Sequence, residues 1–175
     1  MIRLLIADDH LIIRQGLRLI LETEVDFEII AEASDGAEAV HLCAIHRPDV
    51  VLMDLRMPGM DGLTAIEQLR DQMPEIAVVI LTTFNEDELM LKGLQAGARG
   101  YLLKDTDRAS LFDTIRAAAR GETLLKPEIM QRVLNLAGGG NKTTFAGSRT
   151  VELTDREKEV LGAVAQGQRS KEIAF

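Results

Sequence analysis

Short apolar runs that each end in polar side chains are the feature that most constrains the fold of this chain. Continuous apolar runs that alternate with helical patterns are typical of buried parallel strands. In an open α/β sheet, ligands bind beyond the carboxyl ends of such strands, so we expect the residues that close the runs to meet at one site. These residues are Asp8, Asp9, Asp54, Thr82 and Lys104.

The chemistry of these five side chains indicates a metal site. Three carboxylates packed together repel one another unless a cation joins them. The simplest such cation is a hard divalent ion that prefers oxygen ligands. We therefore predict that the site binds Mg²⁺ and serves phosphoryl chemistry.

Helical patterns separate the apolar runs throughout residues 1–120. The runs predict five strands, at residues 3–8, 27–33, 50–54, 77–82 and 100–103, and each strand is followed by a helix. Five such βα units make a flavodoxin-like α/β fold with a doubly wound, five-stranded parallel sheet. Because Gly121 stops the last helix, residues 1–120 are predicted to form one domain.

The character of the sequence changes after this domain. Residues 121–150 are predicted to be a linker that contains a short helix, at about 128–137, and then three consecutive glycines. In residues 151–175, Thr154 and Glu157 form a capping box ahead of apolar residues at helical spacing. This last segment is predicted to be the first part of a small all-α domain.

Charge and composition narrow the possible functions. The net charge is −8, and residues 1–120 carry 21 acidic and 12 basic side chains, so this domain is a poor candidate for contact with DNA or an anionic membrane. The sequence shows no apolar run of about 20 residues and no signal-peptide pattern. Its one cysteine, Cys43, cannot form an internal disulfide. We expect a soluble, cytoplasmic protein with no membrane partner.

Several motifs, in this order, resemble the receiver domain of two-component response regulators. They are Ile-Ala-Asp8-Asp9-His, Val-Val-Leu-Met-Asp54-Leu-Arg-Met-Pro-Gly-Met-Asp-Gly, Ile-Leu-Thr82-Thr and Gly-Tyr101-Leu-Leu-Lys104. The segment from Leu153 to Ala174 resembles the start of a LuxR-type helix-turn-helix domain, so the whole chain resembles a NarL/FixJ-type response regulator. Because the sequence stops at Phe175, ahead of the family's recognition helix, no DNA-binding residue is expected within it.

The resemblance implies a phosphoacceptor and a set of metal ligands. Asp54 would take a phosphoryl group from a sensor histidine kinase or a small phosphodonor. Asp8, Asp9, Asp54 and the backbone carbonyl of Arg56 would hold Mg²⁺.

The resemblance also implies a switch and an output. Thr82 and Lys104 would bind the phosphoryl group, and the ring of Tyr101 would move when Thr82 is drawn inward. Phosphorylation would then favour a homodimer, and the full-length protein would bind promoter DNA.

Simpler roles exist for single residues. A strand-end aspartate is often a helix N-cap, and Asp61 is expected to be one. Tyr101 alternatively fills the sheet edge with its hydroxyl in water. His10 is expected to start a helix rather than to carry a phosphoryl group. The helix that follows Thr82 has apolar side chains on more than one face, which suits a half-buried helix and a partner-binding surface equally well.

Two other functions compete with the response-regulator interpretation. Haloacid-dehalogenase-type phosphatases also use a strand-end aspartate, Mg²⁺, a hydroxyl and a lysine, but they need an acid two positions after the nucleophile, where this chain has Arg56. They also usually carry a cap insertion, which is missing here. A docking receiver that works without phosphorylation typically lacks one or more of the five site residues. The sequence thus favours a phosphorylation-controlled transcription regulator with no separate substrate turnover.

Overall fold

The computed structural model describes residues 1–83 and 87–138, and it describes side chains as far as residue 135. Some predicted features lie outside the described residues. These are the helix cap expected at Asn85, the linker beyond residue 138 and the helical segment at 151–175.

The described residues alternate between strands and helices from one end to the other. The strands are β1 (Ile2–Ala7), β2 (Phe27–Ala33), β3 (Val50–Met53), β4 (Ala77–Thr82), β5 (Gly100–Leu103) and β6 (Leu124–Leu125). The helices are α1 (Leu11–Leu21), α2 (Gly36–His46), α3 (Gly62–Gln72), α4 (Asp87–Ala96), α5 (Arg108–Ala119) and α6 (Pro127–Gly138). The strands form one parallel sheet in the order β2-β1-β3-β4-β5-β6, which confirms the predicted flavodoxin-like class.

Helices on both faces of the sheet explain the unbroken apolar runs. Every residue of β3 and β4 is buried. Alternate side chains of these strands point to opposite faces, so they enter two separate apolar clusters. Val51 and Met53 pack in one cluster, while Val50 and Leu52 pack in the other. A strand that is buried on both faces needs apolar residues at every position.

The sheet has one strand more than the five predicted. β6 pairs in parallel with β5, where Leu124 is opposite Gly100 and Leu125 is opposite Tyr101. These two leucines fall in the predicted linker. A strand of two residues is too short to give an alternating pattern, so the sequence offers no periodicity that separates it from a loop.

Helix α6 packs on α4 and thereby extends the core of the domain. Ile129 and Val133 are each 6% exposed and belong to the same apolar cluster as Met90 and Tyr101. Arg132 of α6 also pairs with the Asp87 carboxylate at the start of α4.

The packing of α6 shows why α4 has apolar side chains on more than one face. Met90 is fully buried, and Leu89, Leu91 and Leu94 are partly buried against the same cluster. The extra apolar face of α4 is therefore part of a half-buried helix, and α6 covers part of it.

Truncating Ile129 should loosen α6 without unfolding the rest of the domain. We expect Ile129→Ala to cost about 2 kcal/mol or more, since a buried isoleucine loses both its burial and its packing. That cost corresponds to roughly thirty-fold more frequent opening of α6. Amide hydrogen exchange across residues 127–138 measures it. Met130→Ala is the matched control, because Met130 is 44% exposed on the same helix; equal exchange in both variants would contradict the packing described here.

None of the described helices has the length and apolar character that a membrane span requires.

Candidate functional site

The carboxyl ends of β1, β3, β4 and β5 bring the predicted site residues to one edge of the sheet. Backbone hydrogen bonds fix the positions where these strands end. The Asp54 N–H donates to the carbonyl of Ala7 at 2.9 Å, and the Lys104 N–H donates to the carbonyl of Thr82 at 2.9 Å. Asp8 follows Ala7 directly, so all four strand ends lie side by side, as the sequence predicts.

Lys104 lies between two buried carboxylates. Its Nζ is 2.5 Å from Asp8 Oδ2 and 2.6 Å from Asp54 Oδ2. The three side chains are 8%, 2% and 4% exposed, respectively, so water screens these pairs weakly. Burial alone would lower the pKa of Lys104, but the hydrogen bonds to Asp54 and Asp8 outweigh it and hold that pKa above its ordinary value. The lysine is therefore charged at neutral pH.

The acidic cluster can hold a divalent cation. Single donor atoms from Asp8, Asp9, His10 and Asp54 all lie within 4.8 Å of one another. Asp8 and Asp54 are buried, whereas Asp9 and His10 are exposed at the rim. Three carboxylates beside one ammonium leave an excess of negative charge, and oxygen donors are the ligands that Mg²⁺ prefers. The donor set therefore fits Mg²⁺.

Backbone amides orient the two buried carboxylates. The His10 N–H donates to Asp8 Oδ1 at 2.9 Å, and the Arg56 N–H donates to Asp54 Oδ1 at 3.3 Å. Each aspartate thus directs one oxygen at the backbone and the other at Lys104. The side chain of Arg56 is exposed beside this loop.

The loop after β3 is held tightly against Asp54. A Cβ on Gly62 would overlap the backbone carbonyl of Asp54, so only glycine allows α3 to start this close. The Gly62 N–H donates to the carbonyl of Leu55 at 3.0 Å. Asp61 accepts from the Thr64 N–H at 2.8 Å, which confirms that it caps α3.

Thr82 and Tyr101 lie on neighbouring strands below the cluster. Thr82 is 1% exposed as the last residue of β4, and Tyr101 is 0% exposed in β5. The Tyr101 hydroxyl is therefore enclosed by protein, and the alternative in which it reaches water at the sheet edge is wrong.

Arg14 is a site residue that the sequence pattern does not reveal. Its Nη1 donates to the backbone carbonyl of Asp8 at 2.5 Å, and its Nε is 3.3 Å from Glu32 Oε2. The side chain is only 13% exposed. Arginine on an amphipathic helix normally lies in solvent. Only the fold shows that Arg14 binds and stabilises the turn between β1 and α1.

A parallel α/β sheet with an acidic cluster and a buried lysine at its carboxyl edge agrees with the predicted receiver domain. The chain belongs to the response regulator receiver domain family, whose model matches residues 4–116.

Two transcriptional regulatory proteins are similar to almost the whole chain, including the residues that follow the receiver domain. The chain is 46% identical to the transcriptional regulatory protein YdfI of Bacillus subtilis over 173 residues, which cover 99% of this chain and 79% of YdfI. It is 40% identical to the transcriptional regulatory protein LiaR of the same organism over 173 residues, or 99% of this chain and 81% of LiaR.

A solved structure agrees with these similarities. A LuxR-family two-component response regulator from Aurantimonas sp. superposes with a TM-score of 0.74 at 33% identity, over 79% of this chain and 99% of that one. The similar proteins are thus response regulators and transcriptional regulators rather than phosphatases, and the resemblance to NarL/FixJ-type regulators is confirmed.

Proposed function

We propose that the chain is a response regulator that accepts a phosphoryl group on Asp54 from a sensor histidine kinase. One observation carries this proposal. Lys104 holds the Asp54 carboxylate at 2.6 Å inside a cluster of carboxylates at the strand ends. A structural N-cap needs neither the buried lysine nor the neighbouring acids.

The transfer step uses the ionised carboxylate of Asp54 as the nucleophile. An oxygen of Asp54 attacks the phosphorus in line, and the bond from phosphorus to the donor's nitrogen or oxygen breaks. The electron pair of that bond leaves with the donor, and Asp54 becomes an acyl phosphate. When bound, Mg²⁺ neutralises carboxylate charge and orients the phosphoryl oxygens.

The protein side chains supply the remaining contacts. Asp8, Asp9, Asp54 and the backbone carbonyl of Arg56 would hold the metal. The Lys104 ammonium, which now pairs with carboxylates, would pair with a phosphoryl oxygen. The Thr82 hydroxyl would donate to another.

The switch would begin at Thr82 and continue to Tyr101. If Thr82 turns toward a phosphoryl group, the space that it leaves lies next to the enclosed ring of Tyr101 on the adjoining strand. A modest shift between two populations, rather than a new fold, would then change the surface of the domain.

The output would be transcriptional control. In this proposal, residues 1–120 are the receiver and 151–175 are the beginning of a helix-turn-helix domain. Residues 121–150 link the two, and their first part, β6 and α6, packs on the receiver. Phosphorylation would favour a homodimer in the cytoplasm, and a dimer places two such domains on two half-sites of promoter DNA. The names of the similar proteins YdfI and LiaR support a role in transcription.

Phosphorylation should depend on a divalent cation. We expect acetyl phosphate with Mg²⁺ to add one phosphoryl group to the chain, because the cation offsets the repulsion between the acidic cluster and the donor. Intact-mass spectrometry measures the adduct, and size-exclusion chromatography with light scattering measures the oligomeric state. An adduct that forms equally well with excess chelator would contradict the proposed metal role, and no adduct under any condition would favour a docking module.

A further inference from the structure

We infer that His10 supplies an imidazole nitrogen to the cation held by Asp8, Asp9 and Asp54, and that this nitrogen raises the affinity of the site for transition ions such as Ni²⁺. This inference rests on the proposed metal site and adds a ligand to it. The sequence alone suggests no more than a helix-start residue at this position.

The geometry places the imidazole among the carboxylates. His10 Nδ1 is 2.7 Å from Asp9 Oδ1 and 3.3 Å from Asp8 Oδ1. Together with a donor oxygen of Asp54, these atoms lie within 4.8 Å of one another. Ligands at about 2.1 Å in an octahedron are at most about 4.2 Å apart, so small rotations of exposed side chains bring the four donors onto one ion.

Apart from its contacts with Asp9 and Asp8, the side chain of His10 has no capping role that explains its position. It is the N-cap residue of α1, but its side chain makes no capping hydrogen bond. Serine, threonine, aspartate or asparagine would serve as a cap, and histidine is not among the favoured residues. The backbone of His10 is fixed by its N–H bond to Asp8, while its side chain is 66% exposed and can turn toward an ion at the rim.

The chemistry of the ligand atoms determines which ions bind more tightly. Imidazole suits Fe²⁺, Ni²⁺, Cu²⁺ and Zn²⁺, whereas carboxylate, carbonyl and water oxygens suit Mg²⁺ and Mn²⁺. The nitrogen of His10 therefore raises the affinity most for an ion such as Ni²⁺, raises that for Mn²⁺ less, and changes that for Mg²⁺ little. Removing even an outer-sphere partner of a metal ligand costs about ten-fold or more in affinity, so loss of the imidazole should cost at least that for Ni²⁺.

Pulsed electron paramagnetic resonance of the chain with Mn²⁺ alone tests the inference. Mn²⁺ bound to wild-type protein should show coupling to a ¹⁴N nucleus. His10→Asn should lose that coupling and, in a separate titration, should bind Ni²⁺ at least about ten-fold more weakly. Asparagine is a favoured N-cap, so this variant keeps the start of α1 intact. His41→Asn is the matched control, because His41 is an exposed histidine on α2, and it should behave as wild type.

The other outcomes separate this inference from the proposed metal site. If Mn²⁺ binds with no nitrogen coupling, and Asp9→Asn weakens it while His10→Asn does not, the carboxylate site stands and the histidine ligand is refuted. An imidazole that only pairs with Asp9 would give this result. If wild type and Asp9→Asn bind Mn²⁺ equally weakly, both the inference and the metal site fail.

Discussion

Asp54→Asn should abolish phosphorylation of the chain by acetyl phosphate and Mg²⁺. The amide has no ionised oxygen with which to attack phosphorus, and the proposed acyl phosphate can form only at a carboxylate. The substitution keeps the size of the side chain and the acceptor oxygen that faces the Arg56 N–H. We therefore expect a folded protein with no adduct and no phosphodonor-dependent change in oligomeric state.

Asp61→Asn is the matched control for this variant. Asp61 lies in the same loop, and its carboxylate caps α3 by accepting from the Thr64 N–H. Asparagine also serves as an N-cap, so this variant should fold and form the adduct as wild type does. Circular dichroism of both variants establishes that each is folded. A full adduct in Asp54→Asn would assign the phosphoacceptor to another residue.

Lys104→Met should be the most destabilising substitution at the site. The ammonium of Lys104 is the counter-charge for Asp8 and Asp54, which are 2% and 4% exposed. Removing one partner of a buried ion pair costs about 3–5 kcal/mol, because the remaining charge is left uncompensated. Methionine keeps much of the apolar stem, so the loss reports mainly on the missing charge. Urea unfolding without divalent ions measures the free energy.

Mg²⁺ should restore part of the stability lost in Lys104→Met. A cation that binds only the folded state stabilises it, and it also replaces the missing positive charge. Lys92→Met is the control, because Lys92 is 51% exposed and pairs with Glu88 on the surface of α4. Such a pair contributes about 1 kcal/mol at most. If both variants lose the same free energy of unfolding, Lys104 is not the buried counter-charge.

The pKa of Lys104 determines how its contribution to the stability of the fold depends on pH. Because hydrogen bonds to two carboxylates hold that pKa above 10.5, the ammonium form is favoured by folding. Its stabilising effect is therefore fully present at neutral pH and is lost as the pH rises through the folded-state pKa.

The parts of the fold that were predictable are those with strong local signals. β3 and β4 are apolar at every position, and each ends in a polar residue at the sheet edge. Parallel strand order then brings Asp54 and Thr82 together without any knowledge of side-chain contacts. The capping role of Asp61 was predictable for the same reason, since an N-cap depends on residues three positions apart.

The parts that were not predictable depend on contacts between distant segments. The pairing of Leu124 with Gly100 joins two residues of β6 to an edge strand, and two residues have no period. The covering of α4 by Ile129 and Val133 requires the orientation of α6, which a linker-like sequence does not specify. Arg14 is on the helix that follows Asp8, but only the folded chain brings it to Glu32.

Within the site, residue identity was easier to predict than the partner of each residue. The motif indicated Lys104 as a phosphoryl-binding residue, but its two hydrogen bonds in this structure go to Asp8 and Asp54. The excess of carboxylates attracts the Lys104 ammonium, whose side chain is only 8% exposed. The proposed role of Lys104 therefore requires that it exchange at least one of these partners for a phosphoryl oxygen.

Borohydride reduction of the phosphorylated chain tests the central claim most directly. Borohydride reduces an acyl phosphate to an alcohol, so a phosphorylated aspartate becomes homoserine, and peptide mass spectrometry locates the change. After treatment with acetyl phosphate and Mg²⁺, we expect homoserine at position 54 and unchanged aspartates at positions 8, 9 and 61. Homoserine at position 8 or 9, or none in a chain that carries a phosphoryl group, would contradict the assignment of Asp54 as the phosphoacceptor.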